Sequence, residues 1–228
     1  MGTIFIVGAD KGGTGKTTLA RALGEYFDGK GIARDDFDTE HPKGGLKRFN
    51  PLAEIVNIES TEGQMRVFDG MNGNILIDVR AGMLSPVLQM LDEVRLLDDV
   101  KNGIANLAVL HVLGPTKQSL GEVFDVVKAI GPVHHFPIRN YVSSTADYLQ
   151  WAEDPEISLV LDKLKAITVP HLDDKAAGVI DRDAWSFSGY AASSESRVLT
   201  GKVHTWLRAV WKEFDRVGIA DLAVGRGT

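Results

Sequence analysis

What this chain can fold into is narrowed most by one glycine-rich turn, Lys11-Gly12-Gly13-Thr14-Gly15-Lys16-Thr17-Thr18. It lies between an apolar strand-like run, Thr3-Ile4-Phe5-Ile6-Val7-Gly8, and a helix-like run that opens Leu19-Ala20-Arg21-Ala22-Leu23 and continues to Phe27. A strand that passes through glycines into a Gly-Lys-Thr helix start is the setting of a phosphate-binding loop. Gly12, Gly13 and Gly15 carry no Cβ, so the backbone can take the positive-φ conformations that curl successive N–H groups around an anion, with Thr14 inside the curl. The helix starting near Lys16 adds unpaired N–H groups and the positive end of its dipole. Lys16 is then placed to reach the β and γ phosphates of a nucleotide, the Thr17 hydroxyl to ligate a bridging Mg²⁺, and Thr18 to touch the α phosphate.

A loop of this kind needs a parallel sheet behind it, and the remaining sequence supplies one. Strand-like runs at 3–8, 32–37, 54–58, 74–79, 106–112, 133–139 and 166–169 alternate with helix-like runs at 16–28, 84–99, 117–130, 145–151, 156–165 and 194–217. The expected fold is α/β: one domain over residues 1–228, with a mostly parallel twisted sheet covered by helices on both faces. A length of 228 residues suits one such domain, and 44% hydrophobic with 25% charged residues is ordinary for a globular protein. There is no run of about 18 apolar residues and no basic leader, so a cytoplasmic protein without a spanning helix is expected. Residues 220–228 lack a basic amphipathic anchor. The absence of cysteine removes disulfides, thiolate zinc sites and iron-sulfur clusters. A formal charge of -6 gives no global attraction to nucleic acid, which leaves such a partner without support from net charge.

Further segments carry chemistry at strand ends. Asp36-Phe37-Asp38 places two carboxylates one residue apart, so both can face a nucleotide beyond the carboxyl edge of the sheet; two solvated loop acids is the alternative. Asn74-Ile75-Leu76-Ile77-Asp78 is an apolar run ending in an acid, which suits a Mg²⁺ ligand or an acceptor for its water, and Gly82 follows four residues later. Asn140 ends another strand-like run with an amide that can donate and accept at once, although asparagine there also suits a turn. His134 and His135 are adjacent, so in a strand they point to opposite faces and cannot share a metal. Val203, Trp206, Leu207, Val210, Trp211, Phe214 and Val217 fall at helical spacing, the mark of a core-facing helix.

The first glycine of G-x-x-x-x-G-K-[ST] is replaced by Asp10, and Lys11 follows it. Alone, Lys11 reads as a solvated loop cation; with the complete loop it resembles the K-G-G-x-G-K-[ST] pattern of the ParA/MinD superfamily of deviant P-loop ATPases. The resemblance covers most of the chain in order and implies ATP and Mg²⁺ as cofactors, a homodimer when ATP is bound, slow hydrolysis used as a switch, and an activating protein partner. It implies that Lys11 crosses the dimer to the other subunit's phosphates, that Asp36 orders the Mg²⁺ hydration shell with Thr17 and Asp78, and that Asp38 positions the attacking water. It further implies that the Gly82 N–H senses the γ phosphate, while Asn140 and Pro170, the latter in Ala166-Ile167-Thr168-Val169-Pro170, form the base pocket. The small partition ATPases, and related ATPases of conjugation, are the members it is most similar to. Arg80 is unexpected and Ala81 stands where the family often has proline; both leave open an interaction module that binds nucleotide with little or no hydrolysis.

Overall fold

The computed structural model describes residues 2–131, 134–144, 148 and 155–225. The expected strand Thr3–Gly8 is β1, buried along its whole length, and the loop after it leads into helix α1, Lys16–Lys30. β2 is Arg34–Asp38, β3 Glu54–Ile55, β4 Asn74–Asp78, β5 Asn106–Leu113, β6 His134–Asn140 and β7 Ile167–Val169. They form one sheet in the order β3-β2-β4-β1-β5-β6-β7, and every pairing in it is parallel. All carboxyl ends therefore open on one edge, with β1 at the centre.

Alternation along the strands divides the core into two layers. Phe5 and Val7 of β1 face one way, with Leu76, Leu110, Val112 and Ile138, toward α1 and the C-terminal helices. Ile4 and Ile6 face the other way, with Ile75, Ile77, Leu107 and Val109. That second layer is covered by α2 (Thr61–Phe68), α3 (Leu84–Glu93), α4 (Leu96–Lys101) and α5 (Lys117–Ile130). α6 is Pro155–Lys163, α7 Asp174–Arg182, α8 Phe187–Ala192, α9 Arg197–Val217 and α10 Ile219–Ala223. The aromatic stripe of α9 is core-facing: Val203, Val210 and Phe214 are fully buried, and Trp206 donates to the Pro170 carbonyl at 2.7 Å.

Several boundaries differ from the sequence expectation. The run at 84–99 is two helices, because Arg95 takes a left-handed conformation with φ 63 between α3 and α4. α2, α7, α8 and α10 are additional helices, and 54–58 contributes a strand of only two residues. β2 begins two residues later than expected and ends on Asp38 itself. The helix expected at 145–151 lies, apart from Tyr148, outside the described residues.

Candidate functional site

The loop closes as its glycines require. Gly13 and Gly15 have φ 73 and 85, and Gly15 stands at the N-cap of α1 with no side-chain cap. The first-turn N–H groups of α1 are thus left for an anion, and the first turn holds no acid to oppose one. Lys16 is buried and donates to the Lys11 carbonyl at 3.3 Å. Burial lowers its pKa, against the pull of the Asp78, Glu40 and Asp10 carboxylates.

Under the loop, Thr17 Oγ1 donates to Asp78 Oδ2 at 2.7 Å. β4 lies beside β1 with Asp78 opposite Val7, which is why an acid at the end of one strand meets a hydroxyl at the helix start after the other. Burial pushes the Asp78 carboxyl up to about 7; the Thr17 hydrogen bond and Lys16 lower it, while Asp38 and Glu40 raise it further. Its Oδ1 is buried with no hydrogen-bond partner. Burial of a carboxylate oxygen without a partner is costly, and a cation with its water shell satisfies it. Thr17 and Asp78 thus fit Mg²⁺, which takes one or two protein ligands and keeps several waters. No cluster of three or more His, Asp or Glu ligands suited to a metal occurs among the described residues.

The acids of β2 are distributed differently from the sequence expectation. Asp36 pairs in register with Leu76, two residues short of the carboxyl edge. Arg34 holds it with bonds of 2.8 and 3.1 Å and Asn50 with one of 2.6 Å, all lining a cavity of about 420 Å³ between α1 and β2. Asp36 therefore does not join Thr17 and Asp78. Asp38 does lie beside Asp78, paired across the two strands, but it is fully buried. Its oxygens accept the Glu40 N–H and the Lys47 N–H, each at 2.9 Å. Held by those two N–H groups, it braces the loop after β2. The exposed acid on that side is Glu40: a Cβ built on Gly45 would meet Glu40 Oε2 at 2.6 Å and Thr17 Oγ1 at 3.4 Å. Asp36-Phe37-Asp38-Thr39-Glu40 carries acids at three alternate positions, and only the point where β2 ends distinguishes the pairs. Thr39 joins two strand exits, donating to the Asp78 carbonyl at 3.2 Å and accepting the Arg80 N–H at 2.9 Å.

Gly82 has φ 81 and lies against the loop, 3.9 Å separating its would-be Cβ from the Asp10 carbonyl. Lys11 is exposed, and its side chain runs over Gly114, where a Cβ would stand 3.6 Å from Nζ. A cavity of about 220 Å³ opens beside the loop, lined by Gly15, Thr18, Asn140 and Pro170 among others. The Asn140 amide nitrogen donates to the Thr14 carbonyl at 2.7 Å, so its Oδ1 is the atom left to accept from a base.

A central strand feeding a glycine loop and a Lys-Thr helix start, with a strand-end aspartate beneath, defines the P-loop nucleotide-binding class. No family model matches the chain, and no curated protein does. Solved structures do. The chain is similar to the MinD cell division protein of Aquifex aeolicus, at 16% identity over 90% of this chain and 96% of that one, with a TM-score of 0.53. It is similar to a ParA family ATPase from Chlorobium tepidum TLS, at 16% identity over 91% and 98%, TM-score 0.52. A nucleotide-binding protein from Archaeoglobus fulgidus, solved with ADP and cobalt, matches at 15% identity over 93% and 91%, TM-score 0.50. The fold is the one these three proteins share.

Proposed function

We propose that the chain is a Mg²⁺-dependent ATPase that works as a nucleotide-controlled dimeric switch. The observation that carries this reading is the Thr17 hydroxyl bonded to buried Asp78 under the glycine loop, with Asp78 Oδ1 unpartnered and Lys16 alongside. Thr17 and Asp78 would hold Mg²⁺, which when bound would supply positive charge against the charge developing on the phosphates. Around it, Lys16 neutralises the phosphates, the loop N–H groups hold them, and Asn140 Oδ1 accepts from the base. Glu40, free of the backbone bonds that fix Asp38, orients the water for in-line attack. Asp38 keeps the loop after β2 in place, and Lys11 meets the γ phosphate of the partner subunit.

Turnover of ATP by the purified protein tests this reading. Lys16→Ala is expected to lose ATP binding, whereas Glu40→Gln keeps binding and drops kcat by about a hundredfold or more. Full turnover in Glu40→Gln removes Glu40 from the mechanism; no turnover in wild type, with ATP still bound, favours the interaction module that Arg80 and Ala81 suggest. Work in partition, segregation or conjugation is supported by the likeness in fold to MinD and ParA proteins. Stimulation of turnover by DNA is the result expected of that role.

A further inference from the structure

We propose that Asp10 is a positioning residue that clamps the turn at residues 80–83 onto the phosphate loop and so sets how strongly the site prefers a nucleoside triphosphate to a diphosphate. The preference rests on the nucleotide reading above; the clamp itself does not.

α3 starts without a cap of its own. Its N-cap residue is Met83, no side chain bonds the first-turn N–H groups from that position, and the first turn holds no acid. A helix start of this kind needs an acceptor, and a carboxylate suits it. Asp10 supplies one from 75 residues away: Oδ1 accepts the Ser85 N–H at 3.1 Å and Oδ2 accepts the Ser85 hydroxyl. A glycine at position 10, the usual residue of the motif, could do neither.

The contact is one of a row. A Cβ on Gly8 would strike Leu84 Cδ1 at 2.7 Å, one on Gly12 would sit 3.7 Å from Ala81 Cβ, and one on Gly82 would sit 3.9 Å from the Asp10 carbonyl. Positions 8, 10 and 12 thus border the segment from Ala81 to Ser85, while Thr39 holds Arg80 from the other side. Gly82, whose N–H is the candidate γ-phosphate contact, lies inside this frame. Asp10 also places a negative charge near Lys16, which by itself opposes any phosphate. Its contribution must then be geometric, and geometry at Gly82 matters only to a nucleotide that has a γ phosphate.

Two measurements on Asp10→Ala, Asp10→Asn and Ser85→Ala decide the matter. One is amide exchange of residues 82–88 in the nucleotide-free protein; the other is the ratio of ATP to ADP affinity. Asp10→Ala is expected to speed exchange there by about fivefold, as a lost cap does. It is expected to lower the ATP-to-ADP preference by about fivefold or more. Asp10→Asn holds both near wild type, because asparagine caps about as well as aspartate. Ser85→Ala, outside the loop, shows the same changes in smaller measure and serves if Asp10→Ala does not fold. Unchanged exchange in the folded variants overturns the clamp. Asp10→Asn as impaired as Asp10→Ala overturns it too, since charge alone would then be the cause. A wild type that binds neither nucleotide sinks the ATPase reading instead, and exchange, which needs no ligand, still decides the clamp.

Discussion

Asp78 is buried in the fold yet must be an anion to hold a divalent cation. In the unfolded chain its carboxyl ionises near 3.9. In the folded protein burial moves that to about 7. Between those values the native state keeps a proton that the unfolded state has released, so the contribution to stability is full below about pH 4 and declines as pH rises toward 7. Each pH unit in that window is worth about 1.4 kcal/mol. Asp78→Asn has no proton to lose. In the nucleotide-free protein, its stability relative to wild type is therefore expected to climb from pH 4 to 7 and then level off, as read by thermal or urea melts across pH. A pH-independent difference contradicts a protonated Asp78. With Mg²⁺ and nucleotide present the gain should vanish, because the cation favours the ionised form that wild type alone provides.

At the scale of elements, β1, the loop and α1 were legible because residue type alone decides them: apolar alternation, glycines at positive φ, and a lysine and threonine at a helix start. β4 and β5 were legible as apolar runs. β2 was expected at 32–37 but its end was not legible, since Arg34 and Asp36 sit in the strand as an ion pair and the edge strand beside it is only two residues long. Apolar patterning therefore does not mark where β2 ends, nor that Asp38 is buried while Glu40 is exposed. α2 was hidden by Gly63 in its first turn, which the Ser60 cap bonds at 3.1 Å. The adjacent histidines divide as alternation requires, His134 exposed and His135 buried against His111 with ring centroids 5.6 Å apart. Burial, and after it His111, lowers the His135 pKa to about 3. The unfolded histidine takes a proton near 6.5, so its contribution to stability is full above that pH and lost as pH falls toward 3. His135→Leu is expected to remove this share of acid sensitivity, giving a shallower loss of stability between pH 6.5 and 4.5 in urea titrations. An identical slope in the two proteins shows that His135 charges freely in the fold.

The whole molecule turns one edge toward its proposed partner. Because every strand pairing is parallel, the loop, Asp78, Glu40, Gly82 and Lys11 all gather where the strands end. Lys11 is exposed, with no carboxylate partner among the described residues, and it rests over Gly114. An unpaired ammonium gains little in the monomer and would gain a charge-assisted contact if a second subunit brought phosphate to it. Two protomers of formal charge -6 repel at long range, so the contact must form locally and depend on the ligand. A dimer of wild type with ATP and Mg²⁺, a monomer without nucleotide or with ADP, and a monomer throughout for Lys11→Ala are the outcomes expected by light scattering coupled to size exclusion. ATP binding by the Lys11→Ala monomer should persist, since Lys16 and the loop hold the nucleotide within one subunit. The comparison separates two roles that one loop combines: loss of binding would make Lys11 part of its own subunit's cradle. A variant dimer as tight as wild type would instead leave the γ phosphate without a lysine from across the interface, and the switch would then have to read nucleotide through the turn at Gly82 alone.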